Sequence, residues 1–270
     1  MPSKVSVADA RGRIRWRFGA GHAFSPLWAP DGEHIAYLFW WAHSTGLVVA
    51  GPDGSDQHGV SDSGWPPHSG PVNPTWNPDG ERIAFDYDEN IYSVRIDGSV
   101  TRELLVPNAA LPAYSPDGTK LAYAARTGSG VFVANADGSD PHRVSLRTLR
   151  WDGWAPAWSP DGKLLAFAAI ASPEVVVVNA DGSGERVIAD LGSRWVRSAP
   201  QWSPDGALVA FTQIPAEYRP FRSSIVVARA DGTGWRVIVK NRDSRRDLYS
   251  LAWRPAVALP AAKRVPCRVR

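Results

Sequence analysis

Hydrophobic and polar positions along this chain alternate in short bursts. Runs such as His34–Leu38, Arg82–Phe85, Leu121–Ala124, Leu164–Ala168 and Leu208–Thr212 are apolar, rich in β-branched and aromatic residues, and too short for stable helices. A second set follows at Leu47–Ala50, Ile91–Val94, Val131–Ala134, Val175–Val178 and Ile225–Ala228. Each run is bounded by turn chemistry, and the turns repeat. The phrase Trp28-Ala29-Pro30-Asp31-Gly32 returns as Trp76-Asn77-Pro78-Asp79-Gly80, Tyr114-Ser115-Pro116-Asp117-Gly118, Trp158-Ser159-Pro160-Asp161-Gly162 and Trp202-Ser203-Pro204-Asp205-Gly206. A worn copy is Trp253-Arg254-Pro255, where Ala256 and Val257 replace Asp-Gly. The leading aromatics stand 48, 38, 44, 44 and 51 residues apart. A second turn follows each full copy, at Asp53-Gly54, Asp97-Gly98, Asp137-Gly138, Asp181-Gly182 and Asp231-Gly232.

Each period reads strand, Pro-Asp-Gly turn, strand, longer loop, strand, Asp-Gly turn, strand. Proline sets its own φ, aspartate accepts from nearby backbone, and glycine takes the conformation a side chain resists. Four strands per period of 40 to 50 residues is the pattern of a β-propeller blade. The expectation is one all-β domain over 1–270, a six-bladed propeller of four-stranded antiparallel blades with repeats starting near 24, 72, 110, 154, 198 and 249. The last blade would be closed by both ends of the chain. Val5–Ala8 and Arg13–Phe18, within 1–20, would join strands near Ser250–Arg254 and Val265–Val269. The leading aromatics Trp28, Trp76, Tyr114, Trp158 and Trp202 are expected at the seams, where a large flat side chain buries much apolar area.

Composition fits this picture. The chain of 270 residues is 44% hydrophobic and 21% charged, with 24 Gly, 23 Pro and 13 Trp. Net charge is +3 and the isoelectric point about 9.1, an excess too mild to demand a polyanionic partner. Cys267 is the single cysteine, which excludes an intrachain disulfide and Cys-rich zinc patterns. Met1–Ala10 lacks the apolar core of an export signal, and no run of 18 uncharged apolar residues occurs. The expectation is a protein without membrane insertion, cytoplasmic if the start is complete and periplasmic or envelope-bound if it is trimmed.

The phrases WAPDG, WNPDG, YSPDG, WSPDG and WSPDG, each followed by a strand and a turn such as NADGS, resemble the TolB-like propellers and their WD40-like PD40 repeat. The resemblance covers at least Phe24–Arg254. It implies a propeller acting mainly as a protein-interaction module; TolB itself belongs to the envelope-spanning Tol–Pal system. The separate N-terminal domain and export signal of full TolB have no counterpart in this sequence. Similar propellers also sit beside serine-peptidase domains.

Both short turns of each repeat belong on one face and the longer loops on the other. Long loops on a rigid scaffold are the usual carriers of function. Arginine beside Trp or Tyr suits a protein surface, because the guanidinium pairs with carboxylates and stacks on rings. The candidate partner-binding residues are His22, Trp40, Trp41, Trp151, Trp154, Arg194, Trp195, Arg197, Tyr218, Arg222, Arg245 and Tyr249. His22, Asn73, Trp154, Arg197 and Tyr249 fall closest to the channel mouth. Asp86-Tyr87-Asp88-Glu89-Asn90 reads as a charged hairpin tip. The sequence carries no Gly-x-Ser-x-Gly elbow, Walker loop or His-Glu-x-x-His helix. His22, His43 and His68 are the weak metal candidates, so the expectation is no cofactor and no catalytic residue. The expected partner is a protein rather than nucleic acid or acidic polysaccharide, and the chain is expected to be monomeric. The alternative is a metal-dependent polysaccharide lyase or another hydrolytic or lytic enzyme on the same scaffold, which requires histidines and a carboxylate to converge on one position.

Overall fold

Ten aspartates hold the ten short turns in the same way. In the computed structural model, the Oδ1 of Asp31, Asp53, Asp79, Asp97, Asp117, Asp137, Asp161, Asp181, Asp205 and Asp231 each accepts a hydrogen bond from the backbone N–H two residues on, at 2.8–3.2 Å. In the Pro-Asp-Gly turns the glycine N–H closes back on the carbonyl three residues before it, and the glycine φ lies between +69° and +75°. That conformation is natural only to glycine. Ser115, Ser159 and Ser203, buried beneath their turns, donate to the turn aspartate at 2.5–2.6 Å and accept from the first N–H of the next strand at 2.9 Å.

The structure describes residues 4–8, 13–19, 22–41, 44–60, 70–99, 101–126, 130–149, 154–169, 172–196, 198–215 and 223–240. A two-stranded hairpin, β1 (Val5–Ala8) and β2 (Ile14–Phe18), opens the fold. Blade 1 follows as β3 (His22–Trp28), β4 (Ile35–Trp41), β5 (Ser44–Ala50) and β6 (His58–Gly59). Blade 2 is β7 (Val72–Trp76), β8 (Arg82–Tyr87), β9 (Asn90–Arg95) and β10 (Arg102–Val106). Blade 3 is β11 (Ala109–Tyr114), β12 (Lys120–Ala125), β13 (Val131–Asn135) and β14 (His142–Ser145). Blade 4 is β15 (Ala157–Trp158), β16 (Leu164–Ala168), β17 (Glu174–Asn179) and β18 (Arg186–Asp190). In blade 5 the first strand is interrupted, so β19 (Arg194–Val196) and β20 (Gln201–Trp202) both pair with β21 (Leu208–Pro215), which is followed by β22 (Ser224–Arg229) and β23 (Trp235–Lys240). All pairings are antiparallel, and apart from β19 with β21 they join chain neighbours, as in a meander.

Among the described residues the expected count of six gives way to five four-stranded blades. Among the same described residues β1 and β2 pair only with each other. The hairpin packs on blade 1 through Val5, Val7 and Phe18 against Ile35 and Tyr37. The expectation of a sixth blade rests on the worn Trp253-Arg254-Pro255 copy, which lacks the Asp-Gly pair that every formed blade carries at both of its short turns. The strands expected near Ser250–Arg254 and Val265–Val269 lie outside the described residues.

Successive sheets pack through one recurring fit. Ala36, Ala84, Ala122, Ala166 and Ala210 occupy equivalent positions of the second strands, each no more than 5% exposed. Across the first four inter-blade seams, the larger residues of the next blade pack in the same core cluster as this alanine: Ile83 and Phe85, Leu121 and Tyr123, Leu165 and Phe167, Val209 and Phe211. A small side chain facing a large one lets neighbouring layers interdigitate without voids.

The leading aromatics close the same seams. Trp76, Tyr114, Trp158 and Trp202 are buried. The indole N–H of Trp76 donates to Leu27 O at 3.2 Å, that of Trp158 to Ala113 O at 2.9 Å, and that of Trp202 to Ala157 O at 2.9 Å. Each bond reaches the innermost strand of the preceding blade, so the ring fills the seam and its polar handle satisfies a carbonyl there. Trp28 departs from the expectation. It is 52% exposed, because the described sheet before it is the hairpin, which meets blade 1 at Ile35 and Tyr37 instead.

Candidate interaction face

The first strand of each blade runs toward the Pro-Asp-Gly turn, so its beginning and the end of the second strand lie on the long-loop face. His22 begins β3 and stands opposite Trp40 in the register with β4. His22 is exposed and Trp40 is 42% exposed; Trp41 is the last residue of β4. Trp154, 41% exposed, precedes β15 in blade 4. In blade 5, Arg194 and Trp195 lie on β19, with Trp195 opposite Ile214 and 45% exposed. The face thus gathers His22 and Trp40 from blade 1, Trp154 from blade 4, and Arg194 and Trp195 from the adjacent blade 5. Trp151, Arg197, Tyr218, Arg222, Arg245, Tyr249, His43 and His68 lie outside the described residues.

The backbone of β21 is held against the segment before β20 by Thr212 N–H donating to Ser198 Oγ at 2.9 Å, with both residues buried. Where blades 2 and 3 meet this face, polar groups are tied to one another. Arg126 lies 3.8 Å from Glu89, Asn108 N–H donates to Asn90 Oδ1 at 3.1 Å, and Arg126 N–H donates to Asn108 O at 2.8 Å. Glu89 and Asn90 of the acidic hairpin tip thus face Arg126 and Asn108.

Asp86 does not belong to that tip. It is 1% exposed, at the position where the neighbouring blades carry Leu38 and Ala124. Burial drives its carboxyl up to about 6, against the pull of Asn73 Nδ2, which donates at 3.1 Å, the backbone N–H of Leu111 and the charge of Arg126. Asn73 and Leu111 both have positive φ, +50° and +61°, at bulges preceding Pro74 and Pro112. Such bulges re-aim backbone groups, and here they bring polar partners to a carboxylate in an otherwise apolar seam.

Two histidines and an arginine that read as scattered in the sequence share one role. His58 Nε2 meets Ile96 O at 2.9 Å, His142 Nε2 meets Ala180 O at 2.9 Å, and Arg186 Nε donates to Ala230 O at 2.8 Å. Each stands four residues after its Asp-Gly glycine and bonds the carbonyl just before the next blade's Asp-Gly turn. The signal is a basic residue at a fixed offset, including Arg102 and Arg236, and it emerges only once the turns are aligned. His58 also turns Nδ1 toward Asp56 O at 2.8 Å. Two carbonyl acceptors call for two N–H donors, so His58 is favoured as the imidazolium and its pKa is raised.

Among the described residues no three His, Cys, Asp or Glu side chains converge on a possible metal position. No helix among them is long and apolar enough to cross a membrane.

Comparison with known proteins places this architecture. The family model of the TolB β-propeller domain (PD40) matches residues 4–255. No curated protein matches the chain. Among solved structures, a putative TolB from Agrobacterium tumefaciens superposes with a TM-score of 0.65 at 21% identity, covering 89% of each chain. TolB from Acinetobacter baumannii gives 0.61 at 16% identity, over 88% of this chain and 60% of that one. An oligogalacturonate lyase in complex with manganese gives 0.60 at 13% identity, over 88% and 73%. These identities speak to the fold, which the lyase shares with the TolB proteins. The family match spans nearly the whole sequence, and the chain belongs to the TolB β-propeller family.

Proposed function

We propose that the protein is a non-catalytic interaction scaffold that captures a protein partner on its long-loop face. The observation that carries this reading is the set of half-exposed indoles on one face, Trp40 on β4, Trp154 just before β15 and Trp195 on β19, with Arg194 next to Trp195. Tryptophan and arginine concentrate binding energy at protein interfaces, where a pre-ordered ring loses little conformational freedom on contact. Trp41, Trp151, Arg197, Tyr218, Arg222, Arg245 and Tyr249 extend the same proposed surface by sequence. A lyase reading needs histidines and a carboxylate at one point, and the described residues supply no such group.

The test is affinity capture from soluble and envelope fractions of the native organism, comparing the parent with a protein carrying Arg194→Ala and Trp195→Ala. Specific captured proteins should be lost with the double substitution, while thermal unfolding stays nearly unchanged. Undiminished capture, or equal loss of folding and capture, would assign these residues to the scaffold alone.

A further inference from the structure

The opposite, short-turn face carries an open depression of about 350 Å³ where blades 4 and 5 meet. It is lined by Arg186 from β18, by Ala207 after the Pro-Asp-Gly turn of blade 5 and Leu208 at the start of β21, and by Arg229 at the end of β22 with Ala230 and Asp231 of the second turn. Ala207 replaces Glu81, Thr119 and Lys163 of blades 2 to 4, so a longer side chain is missing from this wall. The counterpart of Arg229 in blade 2 is Arg95, which is neutralised by Asp97 at 2.7 Å and Glu81 at 3.6 Å. Arg229 instead faces Leu208 across the strand pair and forms no ion pair among the described residues.

The other guanidinium is already oriented. Arg186 donates from Nε to Ala230 O at 2.8 Å and from Nη1 to Gly184 O at 3.1 Å, which leaves Nη2 uncommitted among the described residues. Asp231, the one carboxylate in the wall, spends Oδ1 on Thr233 N–H and Thr233 Oγ1 at 2.9 and 2.7 Å. Asp231 feels the charge of both Arg229 and Arg186, and two cations against this one carboxylate leave a net positive charge beside apolar Ala207, Leu208 and Ala230. We propose that this open seam depression binds a carboxylate carried on a small apolar body, with Arg186 and Arg229 gripping the charge. Guanidinium forks suit carboxylates in particular.

The fold supplies its own test substitutions. Arg229→Asn installs the residue used at this position in blades 3 and 4, Asn135 and Asn179, and Ala207→Glu installs the residue of blade 2. Both should therefore fold, which urea unfolding checks. Calorimetric titration with benzoate, and with benzamide as its neutral isostere, reads the site. The parent should bind benzoate saturably and benzamide at least about tenfold more weakly. Arg229→Asn should weaken benzoate by at least about tenfold, as expected for loss of one charge-assisted pair, and Ala207→Glu should abolish it. Absence of saturable benzoate binding by the parent, equal binding of benzamide, or parent-like binding by both variants overturns the proposal. The result is independent of the long-loop face.

Discussion

Replacing Asp86 by asparagine should make the protein more stable at neutral pH, and the gain should vanish in acid. The carboxyl is 1% exposed and its pKa is raised from 3.8 to about 6, chiefly by burial. A raised folded value means that the fold favours the protonated acid. The stabilising contribution is therefore fully present below 3.8 and is lost as pH rises through about 6. A difference of roughly two pH units corresponds to about 3 kcal/mol. The substituted amide would keep an acceptor for Asn73 and carry no charge at any pH. Urea unfolding followed by tryptophan fluorescence between about pH 3.5 and 8 would measure the effect. The stability difference between Asp86→Asn and the parent should grow from near zero at the acid end to about 3 kcal/mol above about pH 7. A difference that stays constant with pH, or an Asp86 carboxyl titrating near its ordinary value by NMR, would refute the assignment of a buried, disfavoured charge.

Further expectations follow from the seams. Trp158→Ala should cost about 3–5 kcal/mol through lost packing, whereas Trp28→Ala, at an exposed copy of the same phrase, should stay within about 0.5 kcal/mol in the same unfolding assay. Trp158→Phe should cost about 1–3 kcal/mol, because the ring is largely kept while Ala113 O loses its donor. His58 has its pKa raised above 6.5 by the carbonyls of Ile96 and Asp56. Its contribution is fully present below pH 6.5 and disappears as pH climbs through the raised folded value. NMR titration of the ring should show the elevation, and His58→Gln should remove that segment of the stability profile.

What the sequence disclosed was whatever short-range chemistry determines. The Pro-Asp-Gly and Asp-Gly turns were readable because proline, aspartate and glycine act on backbone within two or three residues, and all ten aspartates make the bond their position implies. Strand positions such as Val5–Ala8 were readable for the same reason. Partnership was not. The hairpin of β1 and β2 has strand-forming residues, but nothing local in Val5 or Phe18 states whether it joins a terminal strand or packs as a pair on blade 1. Trp28 and Trp158 open nearly the same phrase, and their burial differs because of the sheet that precedes each. The links from His58 to Ile96 and from Arg186 to Ala230 span 38 and 44 residues, so local spacing reveals only dispersed basic residues. Asp86 reads as part of a charged tip until the strand carries it inward. On the long-loop face, the positions of His22, Trp40, Trp154, Arg194 and Trp195 follow from strand direction, which the repeat itself establishes.

Aromatic side chains lock each blade to the one before it, in a series of five described blades whose first is met, among the described residues, by the β1–β2 hairpin. Hydrogen exchange of the indole N–H groups, followed by NMR with assigned tryptophan signals, examines this most directly. Trp76, Trp158 and Trp202 should exchange slowly, in step with the core strands, and Trp28 should exchange at least about a hundredfold faster, as expected where opening costs less by about 3 kcal/mol or more. Protection of Trp28 equal to that of Trp158 would mean that another sheet seals it, and the five-blade account would be wrong.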